Sequence, residues 1–219
     1  FGIVNSHRDD GVHRGTSFTI GLIDNQNESY RIISENTAEH FSFSRSQLSN
    51  QSYPSSTMGA MALIRQLYYD AEWYSQGLSK SKDLAIESVI DNREIPKLFD
   101  ANDKLNVYRA AKISAELNLN FVFKGSGKEY ENVRELKKFN NKLIIPVNFP
   151  SPFDVTNAQL NDKLTINQLR YWNQAPTNLG ILESNGIVFS ITSADLKNKR
   201  NFLKNIRKAI NNGLSEKTA

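Results

Sequence analysis

Short apolar runs alternate with helical patterns in the second half of the chain, from Lys104 to Ile210. Each run is rich in Val, Ile or Phe and is followed by turn residues and then by helical periodicity. This alternation predicts an α/β fold with parallel strands covered by helices. Four such units predict half of a (β/α)₈ TIM barrel or most of a small doubly wound sheet. The four predicted strands are 105–108, 120–124, 142–149 and 186–192.

The first 56 residues have a different pattern. Residues 1–15 are polar and glycine-containing, which is typical of a loop. Two β-branched runs, 17–24 and 30–34, are joined by a short polar turn and predict an antiparallel hairpin. Parallel βα units are not connected in this way, so we interpret the hairpin as an excursion from the main sheet. The polar stretch 37–56 predicts a long surface loop.

Helical periodicity accounts for most of the remaining chain. We expect one domain over residues 1–219, with the loop and hairpin in 1–56 and the helices and four βα units in 57–219. Ser55 or Ser56 can cap the first helix. The predicted helices are 57–77, 81–91, 109–118, 128–140, 166–175, 177–185 and a last one that begins after Ser193.

Composition excludes several classes of protein. The chain has no cysteine, so disulfides, cysteine-ligated zinc and thiol nucleophiles are absent. The net charge is only +4, and basic residues are spread among acidic ones without a dense stripe that also carries aromatics, which argues against nucleic acid. The charges of 197–208 are interpreted as a solvated helix face. No apolar run approaches the ~20 residues of a membrane span, which predicts a soluble protein of the cytoplasm or periplasm.

Both chain ends suggest a fragment of a longer chain. The sequence begins at Phe1 and not at methionine, and Leu214–Ala219 predicts the first turn of a further helix. We therefore expect the chain to pack against missing parts of the same protein or against an oligomer partner.

The turn Gly125–Gly127 follows a predicted strand and precedes a predicted helix. Free backbone amides in such a turn can bind a phosphate group. Tyr130 stands where the third glycine of a dinucleotide-binding fingerprint would be. A tight turn needs glycine in any case, so the pattern favours a structural role and predicts no cofactor site.

Asp195 is the candidate catalytic or metal-ligating residue of the chain. It follows the last predicted strand, at the edge of a parallel barrel where catalytic groups lie. The neighbouring strand ends carry Tyr108, Arg109, Lys124 and Asn148, none of them a histidine or a carboxylate. Asp195 is therefore a catalytic or metal-ligating candidate, and the alternative is a helix-capping carboxylate.

The three histidines do not form a zinc pattern. His7, His13 and His40 lie upstream of the predicted core, and none has the His-x-His or His-x-x-x-His spacing of a zinc site. His7 with Asp9 and Asp10 could bind a hard cation, but a solvated turn is the simpler interpretation. No nucleophile elbow, P-loop or pair of catalytic carboxylates is present.

Several stretches together carry a family resemblance that covers nearly the whole chain. The most distinctive are the Tyr-Pro-Ser-Ser stretch and the closing segment, in which a helix ends in Gly-Leu-Ser. The stretches are Asp10–Gly15, Tyr53–Ala60, 62–66, Asn120–Gly125, 144–147, Thr192–Asp195 and Ala209–Ala219. In these residues the chain resembles bacterial members of the amidohydrolase superfamily related to imidazolonepropionase and dihydroorotase.

This resemblance implies a distorted (β/α)₈ barrel beside a small β-sandwich. It also implies one or two divalent metals, zinc or another, that activate water to attack cyclic amides. The family's ligands are a His-x-His after the first strand, a carboxylated lysine or glutamate, two histidines and an aspartate. Here the strand ending at Tyr108 lacks the histidine, Lys124 replaces another, and the first strand lies outside the chain. Asp195 alone falls where the family has its last-strand aspartate.

Two function hypotheses remain, with a weaker third. The chain is part of a metal-dependent hydrolase that acts on C–N bonds of a small-molecule substrate but lacks most metal ligands. Alternatively, it is a non-catalytic amidohydrolase-like module for binding or scaffolding. A nucleotide-binding sheet rests only on Gly125–Gly127.

Overall fold

Two structural units make up the computed structural model. The first unit comprises residues 1–101 and 108–122, and the second comprises 102–107 and 123–219. The described residues are 2–6, 10–22, 32–47, 53–101, 103–139, 142–153 and 163–219.

The first unit begins with three antiparallel strands. Strand β1 (Gly2–Ser6) pairs with β2 (His13–Leu22), and β2 pairs with β3 (Ile32–Ser42). The predicted hairpin is therefore confirmed, but both strands extend well beyond the predicted runs. The loops predicted over 1–15 and 37–56 are wrong where these strands run.

Strand β3 also joins the parallel part of the fold. It pairs in parallel with β4 (Lys97–Asp100), with Glu39 opposite Lys97 and Ser42 opposite Asp100. The hairpin is consequently not an excursion from the main sheet, because its second strand continues into a parallel ladder. The sequence did not reveal the full length of β3, because the bulges between β2 and β3 interrupt the two-residue alternation by which strands are predicted.

The strand predicted at 105–108 is wrong. These residues lie in helix α3 (Lys104–Glu116), and the strand of this region is β4, eight residues earlier. Asp103 explains the helix, because its carboxylate accepts a hydrogen bond from the Asn106 amide at 2.9 Å in the manner of an N-cap. The residues that follow Pro96, which lie outside every predicted strand and helix, supply the strand instead.

Helices α1 and α2 cover this unit. Helix α1 (Thr57–Ser75) is capped by Ser56, as predicted, and buries Ile64 and Tyr68. Helix α2 (Leu84–Asp91) begins three residues later than predicted because Asp83 caps it. Beneath the helices three fully buried rings meet: Phe121 lies 5.7 Å from Phe41 and 5.3 Å from Phe99 between ring centroids.

A buried lysine lies beside these rings. The Lys97 ammonium donates to the carbonyl oxygens of Asn92, Arg93 and Ile95 at 2.5, 2.6 and 2.8 Å. It also lies 3.6 Å from the Glu39 carboxylate, and both side chains are at most 2% exposed. Burial lowers the pKa of Lys97, and the nearby Glu39 charge opposes that shift.

The Glu39 carboxylate has two further partners. Its Oε1 lies 2.7 Å from His13 Nε2, and its Oε2 accepts a hydrogen bond from the Tyr68 hydroxyl at 3.3 Å. The lysine, the glutamate and their partners thus connect α1, β2, β3 and the α2–β4 connection through one buried polar network.

The second unit contains three parallel strands. The end of β5 (Phe121–Lys124) pairs with β6 (Leu143–Pro146), and β6 pairs with β7 (Phe189–Thr192). Three of the four predicted parallel strands are therefore confirmed. The strand predicted over 142–149 ends earlier, at Pro146, where the missing amide costs no ladder hydrogen bond.

Short helices connect these strands. Helix α4 (Val133–Phe139) follows a 3₁₀ turn at Glu129–Glu131, so it begins later than the helix predicted over 128–140. The last residue of that prediction, residue 140, lies outside the described residues. Helices α5 (Ile166–Gln174) and α6 (Asn178–Ser184) match the predicted helices 166–175 and 177–185, and Thr165 caps α5. The last helix, α7 (Phe202–Ile210), begins well after Ser193 because a 3₁₀ turn precedes it.

The closing segment packs tightly on α6. A Cβ atom on Gly180 would lie 2.6 Å from the carbonyl carbon of Gly213, so no larger residue fits. Glu183 accepts hydrogen bonds from the amide of Ser215 and from the hydroxyl groups of Ser215 and Thr218. These bonds lower the pKa of Glu183.

The predicted α/β class with parallel strands is confirmed, whereas closure into a barrel stays a prediction. Across the described residues, no helix has both the length and the apolar character to cross a membrane.

We predict that Lys97→Met destabilises the first unit by about 3 kcal/mol, because it leaves the buried Glu39 charge and three carbonyl groups without their cation. Urea unfolding monitored by Trp73 fluorescence in a Trp172→Phe background measures this loss. Adding Glu39→Gln should recover part of it. The exposed Lys112→Met is the matched control, and a loss for Lys97→Met no larger than that of the control contradicts the prediction.

Candidate functional site

Polar side chains lie at the ends of β5, β6 and β7 in the second unit. Lys124 is the last residue of β5, Asn148 follows β6, and Asp195 follows β7. The backbone of Asp195 has φ of 62°, a left-handed conformation that is uncommon outside glycine, asparagine and aspartate. In the same turn Thr192 Oγ1 accepts a hydrogen bond from the Ala194 amide at 3.1 Å. Asp195 therefore lies in the strand-end turn predicted from the sequence.

Asp195 forms an ion pair with Lys124. The Lys124 ammonium lies 3.0 Å from Oδ2 and 3.3 Å from Oδ1 of Asp195. The lysine side chain is 25% exposed and the aspartate 47% exposed, so water weakens the attraction, and a pair of this kind contributes at most about 1 kcal/mol. The ion pair matters for the chemistry of the site, because the Lys124 ammonium contacts both carboxylate oxygens of the candidate residue Asp195.

The turn Gly125–Gly127 binds an internal carboxylate. Glu129 Oε1 accepts hydrogen bonds from the amides of Ser126 and Gly127 at 2.6 and 3.1 Å. Its other oxygen accepts from Asn178 Nδ2 at 2.8 Å, and the glutamate is 6% exposed. The amides that a phosphate group would need are thus already satisfied, and the hypothesis of a nucleotide site loses its basis.

Gly125 is needed for this arrangement. A Cβ atom there would lie 2.4 Å from Glu129 Oε1 and 2.8 Å from its Cδ. Glycine therefore serves the packing of an internal carboxylate, in agreement with the structural role favoured by the sequence.

Tyr171 and Asn148 approach the other side of the turn. A Cβ atom on Gly127 would lie 3.8 Å from the Tyr171 hydroxyl and 3.8 Å from Asn148 Oδ1. Burial, and then the Glu129 charge, raise the pKa of Tyr171, so its hydroxyl is protonated at neutral pH. Lys128 Nζ lies 4.4 Å from the centroid of the Tyr171 ring, a cation–π contact. Sequence patterns did not reveal Tyr171, which lies on α5 far from the strands in sequence.

The described histidines, His13 and His40, lie far from the turn Gly125–Gly127 in sequence and take part in packing. His13 stacks on Phe41 at 4.9 Å between centroids and contacts Glu39, and His40 is 5% exposed in β3. His7 and Asp9 lie outside the described residues. The carboxylate of Asp10 accepts hydrogen bonds from the Ser46 hydroxyl at 2.5 Å and the Gln47 amide at 2.8 Å. Asp10 thus closes a loop, in agreement with the interpretation of a turn.

A divalent metal does not fit the side chains at these strand ends. Such an ion needs several carboxylate or imidazole ligands. Among the described residues no three His, Asp or Glu side chains lie together in a group that could hold one. At Asp195 a metal would also lie beside the Lys124 ammonium, and repulsion between like charges opposes that arrangement.

We predict that Gly125→Ala destabilises the second unit by about 2 kcal/mol, because the added methyl group displaces the Glu129 carboxylate. In a Glu129→Ala background the same substitution should cost less than half as much, since the clash is removed. Urea unfolding monitored by Trp172 fluorescence in a Trp73→Phe background measures both values. Additive effects of the two substitutions contradict the packing that we describe.

Comparison with known proteins shows a likeness in fold. The chain matches no protein-family model and no curated protein. It resembles the crystal structure of an amidohydrolase from Thermotoga maritima MSB8, with a TM-score of 0.68 and 16% sequence identity. The likeness covers 94% of this chain and 54% of that chain, so this chain spans about half the length of the solved protein. At this identity the likeness shows the fold alone, and the fold is amidohydrolase-like.

Proposed function

We propose that this chain is part of an amidohydrolase-like protein that hydrolyses C–N bonds of cyclic amides. The observation that carries the proposal is the likeness in fold to a solved amidohydrolase over 94% of the chain. The residue resemblance to relatives of imidazolonepropionase and dihydroorotase supports the same class. Zinc or another divalent metal activates water in that class. Most ligands for it would lie outside the described residues.

Within this proposal Asp195 is the catalytic residue of the described strand ends. Its carboxylate is half exposed at the end of β7, where a small cyclic amide could reach it. A carboxylate in this place can accept a proton from an attacking water molecule. Lys124, in contact with both carboxylate oxygens, would orient the group.

A second candidate function is a non-catalytic binding or scaffolding module. The Lys124–Asp195 ion pair favours it, because the ammonium group neutralises the carboxylate that hydrolysis would require. The module would retain the amidohydrolase-like frame and dock other parts of the same protein.

We predict that Asp195→Asn lowers hydrolysis of a cyclic amide by at least about a hundredfold, since the amide side chain cannot accept the proton. The measurement uses the full-length native protein with hydantoin and dihydrouracil as probes, and bound zinc is determined by elemental analysis. Glu216→Gln, which removes an exposed carboxylate elsewhere in the second unit, is the matched control and should retain the wild-type rate.

The two candidate functions give different results in this experiment. A hydrolase shows turnover that Asp195→Asn removes and Glu216→Gln does not. A scaffolding module shows no turnover above the buffer rate in any of the three proteins. Turnover that survives Asp195→Asn contradicts the role of Asp195 while retaining the hydrolase class.

A further inference from the structure

Six basic side chains form a basic strip at the end of the second unit, an exception to the mixing of basic and acidic residues over the rest of the chain. The strip lies within 12 residues that contain no acidic residue, and the acid-free stretch extends from Leu196 to Ser215. The other 207 residues hold 21 basic and 23 acidic side chains, so the positive net charge of the chain originates in this strip. The strip consists of Lys197, Lys199, Arg200, Lys204, Arg207 and Lys208, all of them exposed.

The strip begins at Lys197, just before the 3₁₀ turn Lys199–Asn201, and continues along helix α7. On the helix, the spacing of Lys204, Arg207 and Lys208 places them on one exposed face, and the opposite face is packed into the second unit. Ala209 on that packed face is fully buried, and Asn205 Nδ2 donates a hydrogen bond to the carbonyl oxygen of Val147 at 2.6 Å. One face of α7 is therefore packed within the second unit, whereas the face that carries Lys204, Arg207 and Lys208 is exposed.

The charges of the strip are not neutralised within the described part of the chain. None of the six side chains forms a salt bridge there, and Lys199 Nζ donates to the carbonyl oxygen of Ser193 at 2.5 Å. Lys204 and Lys208 are four residues apart on one helix face, and like-charged pairs at this spacing destabilise a helix. An anionic partner would relieve this repulsion.

The exposed side chain of Leu203 indicates which kind of anionic partner fits the basic strip. Its side chain is 62% exposed, and it lies one helical turn from both Lys199 and Arg207. A peptide with acidic residues around one apolar residue can satisfy the cations and cover this leucine. A phosphate backbone offers no apolar group at that point, and the helix presents too little free apolar surface to enter a bilayer.

We propose that the basic strip is a docking surface for an acidic segment of a partner protein that carries an apolar side chain among its carboxylates. Charge complementarity governs the encounter, and contact with Leu203 adds a specific position. The proposal does not rest on any hydrolytic activity, and the residues changed to test it lie on α7, away from the Asp195 turn in sequence.

Fluorescence anisotropy tests the proposal with a labelled 12-residue peptide of glutamates and one central leucine. The wild-type chain should bind it, and binding should weaken at least tenfold between 50 and 300 mM salt because screening shortens the reach of the charges. Lys204→Glu, Arg207→Glu and Lys208→Glu together should weaken binding at least tenfold. Leu203→Ser alone should weaken it severalfold. Circular dichroism verifies folding, and the corresponding triple glutamine variant replaces any variant that unfolds.

The control separates a local surface from a general effect of charge. Lys80→Glu, Lys112→Glu and Lys137→Glu change the net charge equally at exposed positions elsewhere and should leave peptide binding within twofold of wild type. An equal loss in this control overturns the proposal. Tighter binding to a 16-base-pair DNA duplex, or to phosphatidylserine vesicles, than to the peptide also overturns it, as does absence of peptide binding at low salt.

Discussion

Parallel pairing of short buried strands is the constraint on which the chemistry of this chain depends. In β5 and β6, Phe123, Leu143 and Ile145 are buried, whereas the alternate residues Val122 and Ile144 are partly exposed. One face of each strand is thus filled by packing under helices, and little space is left there for polar groups. Parallel strands end at the same edge, so polar groups such as Lys124 and Asp195 meet in the turns beyond the strands.

The first unit also contains parallel pairing, between β3 and β4, but there one strand carries a buried charged side chain. Strand β4 carries Lys97 in its buried face, and the ammonium is accommodated because three backbone carbonyl oxygens and Glu39 surround it. A buried charge surrounded in this way is costly to remove but contributes little net stability, since its desolvation offsets most of the attraction. Burial of apolar side chains, among them the rings of Phe41, Phe99 and Phe121, contributes to the stability of this unit.

How much the sequence predicts depends on whether the signal is local. Strands β5, β6 and β7 were predictable because their β-branched and aromatic runs lie between clear turns. Strand β4 was missed because Lys97 resembles a solvent-exposed residue until its carbonyl partners are seen. The apolar run at 105–108 resembled a strand, although Asp103 just before it is a helix-capping residue that the sequence displays.

The candidate site likewise combines features that local sequence signals predict with features that only the fold reveals. The position of Asp195 after a strand followed from the βα pattern, and the structure places it in that turn. Its pairing with Lys124, 71 residues earlier, depends on strand order and could not be read locally. Glu129 was within reach of sequence reasoning, because Ser126 followed three residues later by glutamate is a capping-box pattern. Its second partner, Asn178, lies 49 residues away and required the fold.

The parallel register of β5, β6 and β7 is tested most directly by nuclear magnetic resonance couplings across backbone hydrogen bonds. We expect a coupling from the Gly125 amide nitrogen to the Ile144 carbonyl carbon, and another from the Leu143 amide nitrogen to the Val188 carbonyl carbon. A set of couplings that instead pairs residues 143–146 with 189–192 in antiparallel order would contradict it. The strand-end contact between Lys124 and Asp195 would then have no structural basis.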